Sequence, residues 1–202
     1  NNEENLKEES AELSGVIGLL SKVSLFKKDS SNSSYLTPKL LLRYAPGDMR
    51  PIDGGRLRYS NLYDLNKVSE IDVIEEGLSA SIGFEYSKNN IVGNNEKETF
   101  NLSMGQVISE RENNEMPSST SLDQRFSDLV GTSRYNLNEN FNINYNFSLD
   151  QGYNKFNYNE LGLGLDLDKT KFNISYLEEK NHIGNQEYIK SDLEIEINKF
   201  NS

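Results

Sequence analysis

The stretch FNINYNFSLD, residues 141–150, alternates without a fault. Phe141, Ile143, Tyr145, Phe147 and Leu149 fall on one side, and Asn142, Asn144, Asn146, Ser148 and Asp150 on the other. Successive side chains of a strand face opposite sides, so this is a β-strand with one apolar and one wet face. The same pattern recurs along most of the chain, with almost no helical period between. Recurring alternation of this kind is the sequence signature of a transmembrane β-barrel.

We read nine strands, at about residues 13–26, 36–44, 78–87, 99–109, 127–136, 141–150, 155–167, 171–177 and 188–199. The first aligns Leu13, Ile17, Leu19, Val23 and Leu25; the third sets Leu78, Ala80, Ile82, Phe84 and Tyr86 against Ser79, Ser81, Gly83, Glu85 and Ser87. In the seventh, Leu161, Leu163, Leu165 and Leu167 alternate with Gly162, Gly164 and Asp166. Antiparallel neighbours place the connections near 27–35, 88–98, 137–140 and 168–170 at one end and those near 45–77, 110–126, 151–154 and 178–187 at the other. The second group holds most of the length, as expected of a barrel with short periplasmic turns and longer outside loops. The charges Glu85, Arg134, Asp166, Glu194 and Glu196 lie on polar strand faces. On the lipid face a Lys or Arg at mid-depth would cost about 2–4 kcal/mol. From periodicity alone a soluble all-β domain with one solvated face stays open.

Composition narrows the classes. The chain has 202 residues, a net charge of -11, no Cys and no Trp. No disulfide framework or thiolate metal site can form within it. Acidity of this size argues against a nucleic-acid partner, which needs a basic stripe. A mean hydropathy of -0.71 and the lack of an apolar run of about 18 residues exclude a helical span but not a barrel. Neither an initiating Met nor a signal peptide is present, so we expect a fragment: a polar segment at 1–10, then a barrel segment at 11–202 truncated at both ends.

Several motifs add specificity. YLTPKLLLRYAPGDMR (35–50) puts a Pro-containing strand before a long loop. NLYDLNKVSEIDVIEEGLSASIGFEY (61–86) carries Leu65, Asn66, Lys67, Asp72, Glu75, Glu76 and Gly77 ahead of an alternating strand. FNLSMGQVI (100–108) holds the pair Gly105 and Gln106, and SDLVGTSRYNLNENFNINYNFSLD (127–150) opens on SDLVG. In this order and spacing the four stretches resemble the barrel region of the LPS-assembly protein family, LptD (also OstA or Imp). Lys67 departs from the Arg expected there, keeping the charge but losing the planar fork. The resemblance covers roughly 35–150 and continues more loosely to 202. It implies a middle-to-late part of a large outer-membrane barrel in a Gram-negative cell, and no enzyme. Such a barrel takes lipopolysaccharide from an LptA-like periplasmic bridge, often with an LptE-like plug lipoprotein in its lumen, and inserts it into the outer leaflet. Outer-membrane lipid is then the remaining partner; no nucleic acid is implied.

Reactive constellations are weak. His182 is the one histidine, set in a loop, and a triad or metal centre needs partners. Asp166/Asp168 and Glu194/Glu196 have the i,i+2 spacing of paired carboxylates, which glycoside chemistry could use; polar lumen walls explain them more simply. Asp64, Asp72, Glu75 and Glu76 lack the spacing of a calcium loop. Gly162 and Gly164 interleave with Leu in a strand, where curvature or close packing is the simpler account than a phosphate loop. Pro38 inside a strand implies an edge or a weakened ladder. We therefore expect no catalytic, cofactor-binding or metal residues. The alternatives are another outer-membrane barrel of porin or adhesin type, or a β-rich hydrolase working through carboxylates. The apolar content of 45–77, including Leu62, Tyr63, Leu65, Val68 and Ile71, predicts an ordered loop that folds back over the lumen.

Overall fold

The computed structural model describes residues 15–67, 73–180 and 184–196. Its ten strands are β1 (Ile17–Lys22), β2 (Leu25–Lys28), β3 (Asn32–Ala45), β4 (Gly77–Val92), β5 (Asn95–Ser109), β6 (Leu129–Asn136), β7 (Phe141–Leu149), β8 (Phe156–Leu167), β9 (Thr170–Glu179) and β10 (Gln186–Ile195). Helix is confined, among the described residues, to two 3-10 turns, Tyr59–Asn61 and Ser118–Thr120. All strands join one antiparallel sheet in the order β1-β3-β4-β5-β6-β7-β8-β9-β10, with β2 also on β3. From β3 onward each strand pairs with its chain neighbours, and among the described residues the sheet does not close on itself.

Ten strands occupy nine positions because the expected first strand is broken. β1 lies along residues 39–44 of β3 and β2 along residues 33–36 of the same edge. The break falls beside Pro38, whose carbonyl accepts from the Val23 N–H at 3.3 Å. A strand residue points its N–H and C=O to the same side, so the donor that proline lacks is missing on this side. The expected connection at 88–98 is a second difference. There β4 and β5 run on as a hairpin turned by Gly93 and Asn94, with Gly93 at φ +64°. The stretches SKNN before Ile91 and Val92 and NEKE after the turn are polar on both faces, so no hydrophobic period marks them.

This correction sharpens the asymmetry of the two ends. One end carries the turns 29–31, 93–94, 137–140 and 168–169; the other carries 46–76, 110–128, 150–155 and 180–185. The register fixes the faces, because directly opposed residues share one. A polar row runs Thr37, Glu85, Ser103, Thr132, Asn146, Glu160, Leu177, Tyr188 across the sheet. The adjacent row is Leu36, Tyr86, Leu102, Ser133, Tyr145, Leu161, Tyr176, Ile189. The register separates the two sets of side chains. Ile82, Phe84, Ile143, Tyr145, Leu163, Leu165, Ile174 and Ile195 share the apolar face, and Glu85, Asn144, Asp166 and Glu194 the polar one.

Burial is inverted relative to a water-soluble sandwich. The apolar face is bare: Leu42, Ile82, Leu161, Leu163, Phe172 and Leu193 are all exposed. On the polar face Ser33, Arg43, Ser79, Ser81, Ser103 and Ser148 are buried. Charges on the apolar face of described strands occur only toward strand ends, at Lys27, Lys88, Lys97, Glu178 and Glu187. A continuous apolar surface of this extent needs an apolar partner, and an apolar band ending in charges fits the profile of a bilayer.

Candidate functional site

The polar face is not empty, because the two longest connections fold onto it. Residues 56–65 cross the sheet from one side to the other. Arg56 pairs with Glu179 of β9, and its guanidinium carbon stands 4.3 Å from the centre of the Tyr158 ring of β8. Tyr59 donates to the Glu85 carboxylate of β4 at 3.1 Å. Lys39 of β3 pairs with the same carboxylate and lies over the Tyr63 ring, 5.2 Å from its centre. The Arg43 guanidinium of β3 donates to the Leu65 and Glu75 carbonyls. Finally Leu65 reaches β1 at Gly18.

Glycines make the seats for this segment. Gly83 and Gly105 oppose each other on β4 and β5. A Cβ on Gly105 would meet Leu62 Cδ2 at 2.5 Å, and one on Gly83 would meet the Tyr63 hydroxyl at 2.6 Å. A Cβ on Gly18 would meet Leu65 Cδ2 at 2.4 Å. Here glycine serves close approach and not a turn. Leu62 is fully buried and joins Met49, Ile52, Leu57, Val73, Val107, Met116, Leu122 and Val130 in an apolar cluster beneath the loops. The rings of Tyr59 and Tyr63 meet edge to face with centres 5.9 Å apart. A second loop supplies Met116 and Leu122, tied to the first by Ile52 N–H to the Glu115 carbonyl at 3.3 Å.

Polar stitches hold the loop's own shape. The Asn61 amide donates to the Arg56 and Lys67 carbonyls, both at 3.0 Å. Asn66 donates to the Val73 carbonyl at 2.9 Å. Lys67 and Glu75 form a buried ion pair at 3.4 Å. Burial lowers the Lys67 ammonium from its ordinary range, Glu75 opposing that shift. Burial also pushes the Tyr63 phenol up to about 12 and the Tyr59 phenol higher still. Such a pair adds little net stability, but either partner alone would be a costly buried charge, so it fixes the register of the loop.

The motif residues singled out in the sequence thus acquire physical roles. Leu65, Asn66, Lys67 and Glu75 fasten the loop. Glu76 bonds the Met49 N–H and Arg111, both at 2.9 Å, and Gly77 opens β4 at φ +88°. Gly105 receives Leu62, while Gln106 donates to the Ser127 carbonyl at 2.6 Å. Ser127 and Asp128 of SDLVG are buried. Asp128 accepts from Ser148 of β7 at 2.6 Å and from Asn157 at 2.8 Å. Asn157 is the extra residue of the bulge opposite Ser148 and Leu149, which aims its amide at that carboxylate.

The acidic pairs do not form reactive dyads. Asp166 opposes Lys171, while Asp168 sits in the turn at φ +28°. Glu194 also opposes Lys171, and Glu196 lies just past β10. Asp64, Glu75 and Glu76 are not gathered: Glu75 meets Lys67 and Glu76 meets Arg111. Among the described residues no three His, Asp or Glu side chains come together as metal ligands would. His182, Val68, Ile71, Asp72, Leu13 and segment 1–10 lie outside the described residues. Sequence reasoning missed Arg56 and Glu179, which are 123 positions apart and carry no local signal. It also missed Arg43 and Gly18 as loop anchors; their inward register was the available clue.

The site is therefore a packed, bonded segment seated across the polar face of a sheet whose other face is apolar and bare. A search of curated proteins returns no match. A protein-family model described as LPS transport system D, LptD, matches residues 17–200. That span takes in every described strand, and the chain belongs to the LptD family.

Proposed function

We propose that residues 11–202 form part of the wall of an outer-membrane barrel that inserts lipopolysaccharide into the outer leaflet. In this reading 46–76 is the cover that keeps the lumen shut between deliveries. The observation that carries it is the inverted burial, with a bare apolar face for lipid and a polar face under a seated loop. Family membership supports the substrate class. The work is partition: sugars and phosphates follow the polar face while acyl chains stay with lipid. An LptA-like bridge would supply the substrate and an LptE-like lipoprotein would share the lumen, as family partners. No covalent step is needed, which argues against a hydrolase.

The test is to replace Leu62, Tyr63 and Leu65 by Ser in the full-length gene product in cells. Antibiotic entry and surface lipopolysaccharide are then measured. The expected result is a folded barrel with higher permeability. Unchanged permeability and unchanged delivery would show that the loop is neither a cover nor a transport element.

A further inference from the structure

The base of the loop covers a stretch of the polar face where buried donors lack acceptors. Arg43 of β3 and Ser79 of β4 oppose each other in the ladder, and Ser81 is the next inward residue of β4. All three are buried, at 1, 4 and 1 % exposure. Arg43 Nη1 and the Ser79 and Ser81 hydroxyls have no hydrogen-bond partner among the described residues. The flanks offer Ser81 none, because Leu41 and Val107 oppose it on either side. Three such groups together are unusual, since most buried polar atoms in a folded protein are paired.

Charge points the same way. The neighbouring cations each have a carboxylate: Lys39 has Glu85, Lys67 has Glu75 and Arg111 has Glu76. Arg43 donates to the neutral carbonyls of Leu65 and Glu75. The carboxylate that acts on it, Glu75, is already shared with Lys67. A guanidinium does not shed its proton in a protein, and a buried charge without a counter-charge is costly. A water molecule would satisfy the hydroxyls and leave that charge standing. An anion satisfies both.

Space limits which anion. The hollow lined by Glu75, Leu78 and Ser109 measures about 10 Å³, the room of about one water molecule. It lies beside this stretch, since Ser109 opposes Ser79. A monatomic ion fits such packing; a phosphate or carboxylate group does not.

We propose that the base of the loop closes over a halide ion, chloride in ordinary media, held by Arg43 Nη1 and the hydroxyls of Ser79 and Ser81. Hydrogen bonds to a charged partner are the stronger kind, and all three groups can donate at once. Arg43 also holds the Leu65 and Glu75 carbonyls, so one side chain fixes both the ion and the loop. Filling the seat therefore favours the seated loop by mass action. The proposal goes beyond the transport reading and does not depend on it.

The test uses the purified full-length protein in detergent, in sodium chloride, sodium bromide or sodium gluconate at one ionic strength. Gluconate is too large for the seat. Chymotrypsin cleavage at Tyr59 and Tyr63 reports the opened loop, with a free peptide as the control for the protease in each salt. Line broadening in the chloride NMR spectrum reports the bound ion. Cleavage should be slower in chloride and bromide than in gluconate, and the effect should saturate with halide. The double variant Ser79→Ala with Ser81→Ala should raise the half-saturating chloride concentration about tenfold, the scale of one lost hydrogen bond to a charged partner. Its chloride broadening should be smaller than that of the wild type. In gluconate it should be cleaved no faster than the wild type, because neither hydroxyl has another partner to lose among the described residues. Equal cleavage in all three salts, or equal broadening in the wild type and the double variant, overturns the seat. Faster cleavage of the double variant in gluconate makes the hydroxyls structural and overturns it as well. A halide effect that survives the double variant unchanged marks an adventitious ion only.

Discussion

Leu62 occupies the space that a side chain on Gly105 would need: a Cβ at Gly105 would lie 2.5 Å from Leu62 Cδ2. One is a loop residue and the other a strand residue, so this contact couples the cover to the wall. Gly105→Val should unseat the loop, and its Cβ would also press on the Ile82 carbonyl of β4 at 2.6 Å. Truncating the knob instead, as Leu62→Ala, should cost about 2–5 kcal/mol of loop docking, typical of a fully buried leucine. Uptake of large antibiotics by cells carrying either variant should rise while the barrel remains folded. Wild-type uptake in both would dissociate the contact from gating.

The pair Arg56–Glu179 ties the far end of the crossing segment. Both side chains are largely buried, at 12 % and 3 % exposure. Arg56→Gln strands a buried carboxylate and should weaken docking by about 3–5 kcal/mol. The double change Arg56→Gln with Glu179→Gln should cost less than Arg56→Gln alone, because neither charge is then left unpaired. Chymotrypsin cleavage at Tyr59 and Tyr63 reports the released loop. Equal protection in the wild type and the single variant would remove the pair from the account.

Alkaline pH should loosen the loop in a way that depends on Tyr63. Its phenol titrates near 12 when seated and near 10 when released. Between those values the seated form holds the extra proton. Its contribution is therefore complete below about pH 10 and falls as pH rises toward 12. Lys67 works in the opposite sense: burial lowers it, so seating strengthens as pH approaches 10.5 from below. Tyr63→Phe should leave stability near neutral pH almost unchanged, because the buried hydroxyl has no hydrogen-bond partner among the described residues. Phenolate absorbance should lose its component near pH 12 in that variant. Superimposable titration curves after allowing for one fewer tyrosine at 10 would contradict the seating.

Much of the wall was legible because each strand buries one face in a single medium. Phe141–Leu149 and Phe156–Leu167 keep the period for that reason, and their observed bounds lie within a residue of the expected ones. Alternation fails where neither face is apolar, and so SKNN of β4 and NEKE of β5 read as a loop. The break between β1 and β2 was hinted at by Pro38, but its position depends on which neighbour faces the missing donor. Loop content was legible in Leu62, Tyr63 and Leu65, whose apolar character demands a partner. The partners were not: Gly18, Gly83, Gly105 and Glu179 are set by register across the sheet. The clefts on the polar face are likewise a product of pairing, since Asn146, Glu160 and Tyr188 come from three strands.

The central claim is that alternate residues of one strand meet lipid and a wet lumen. Its most direct measurement is cysteine scanning of Phe141–Leu149 in the full-length protein in its membrane. These residues lie in a chain with no native Cys, so each introduced thiol is unique within it. Cysteines at 142, 144 and 146 should react with a water-soluble maleimide, and those at 143, 145 and 147 should not. A spin label on each of the latter three should instead sense the acyl chains, with high oxygen and low nickel-chelate accessibility. The reverse pattern, or water reactivity without alternation, would contradict the barrel wall and the function built on it.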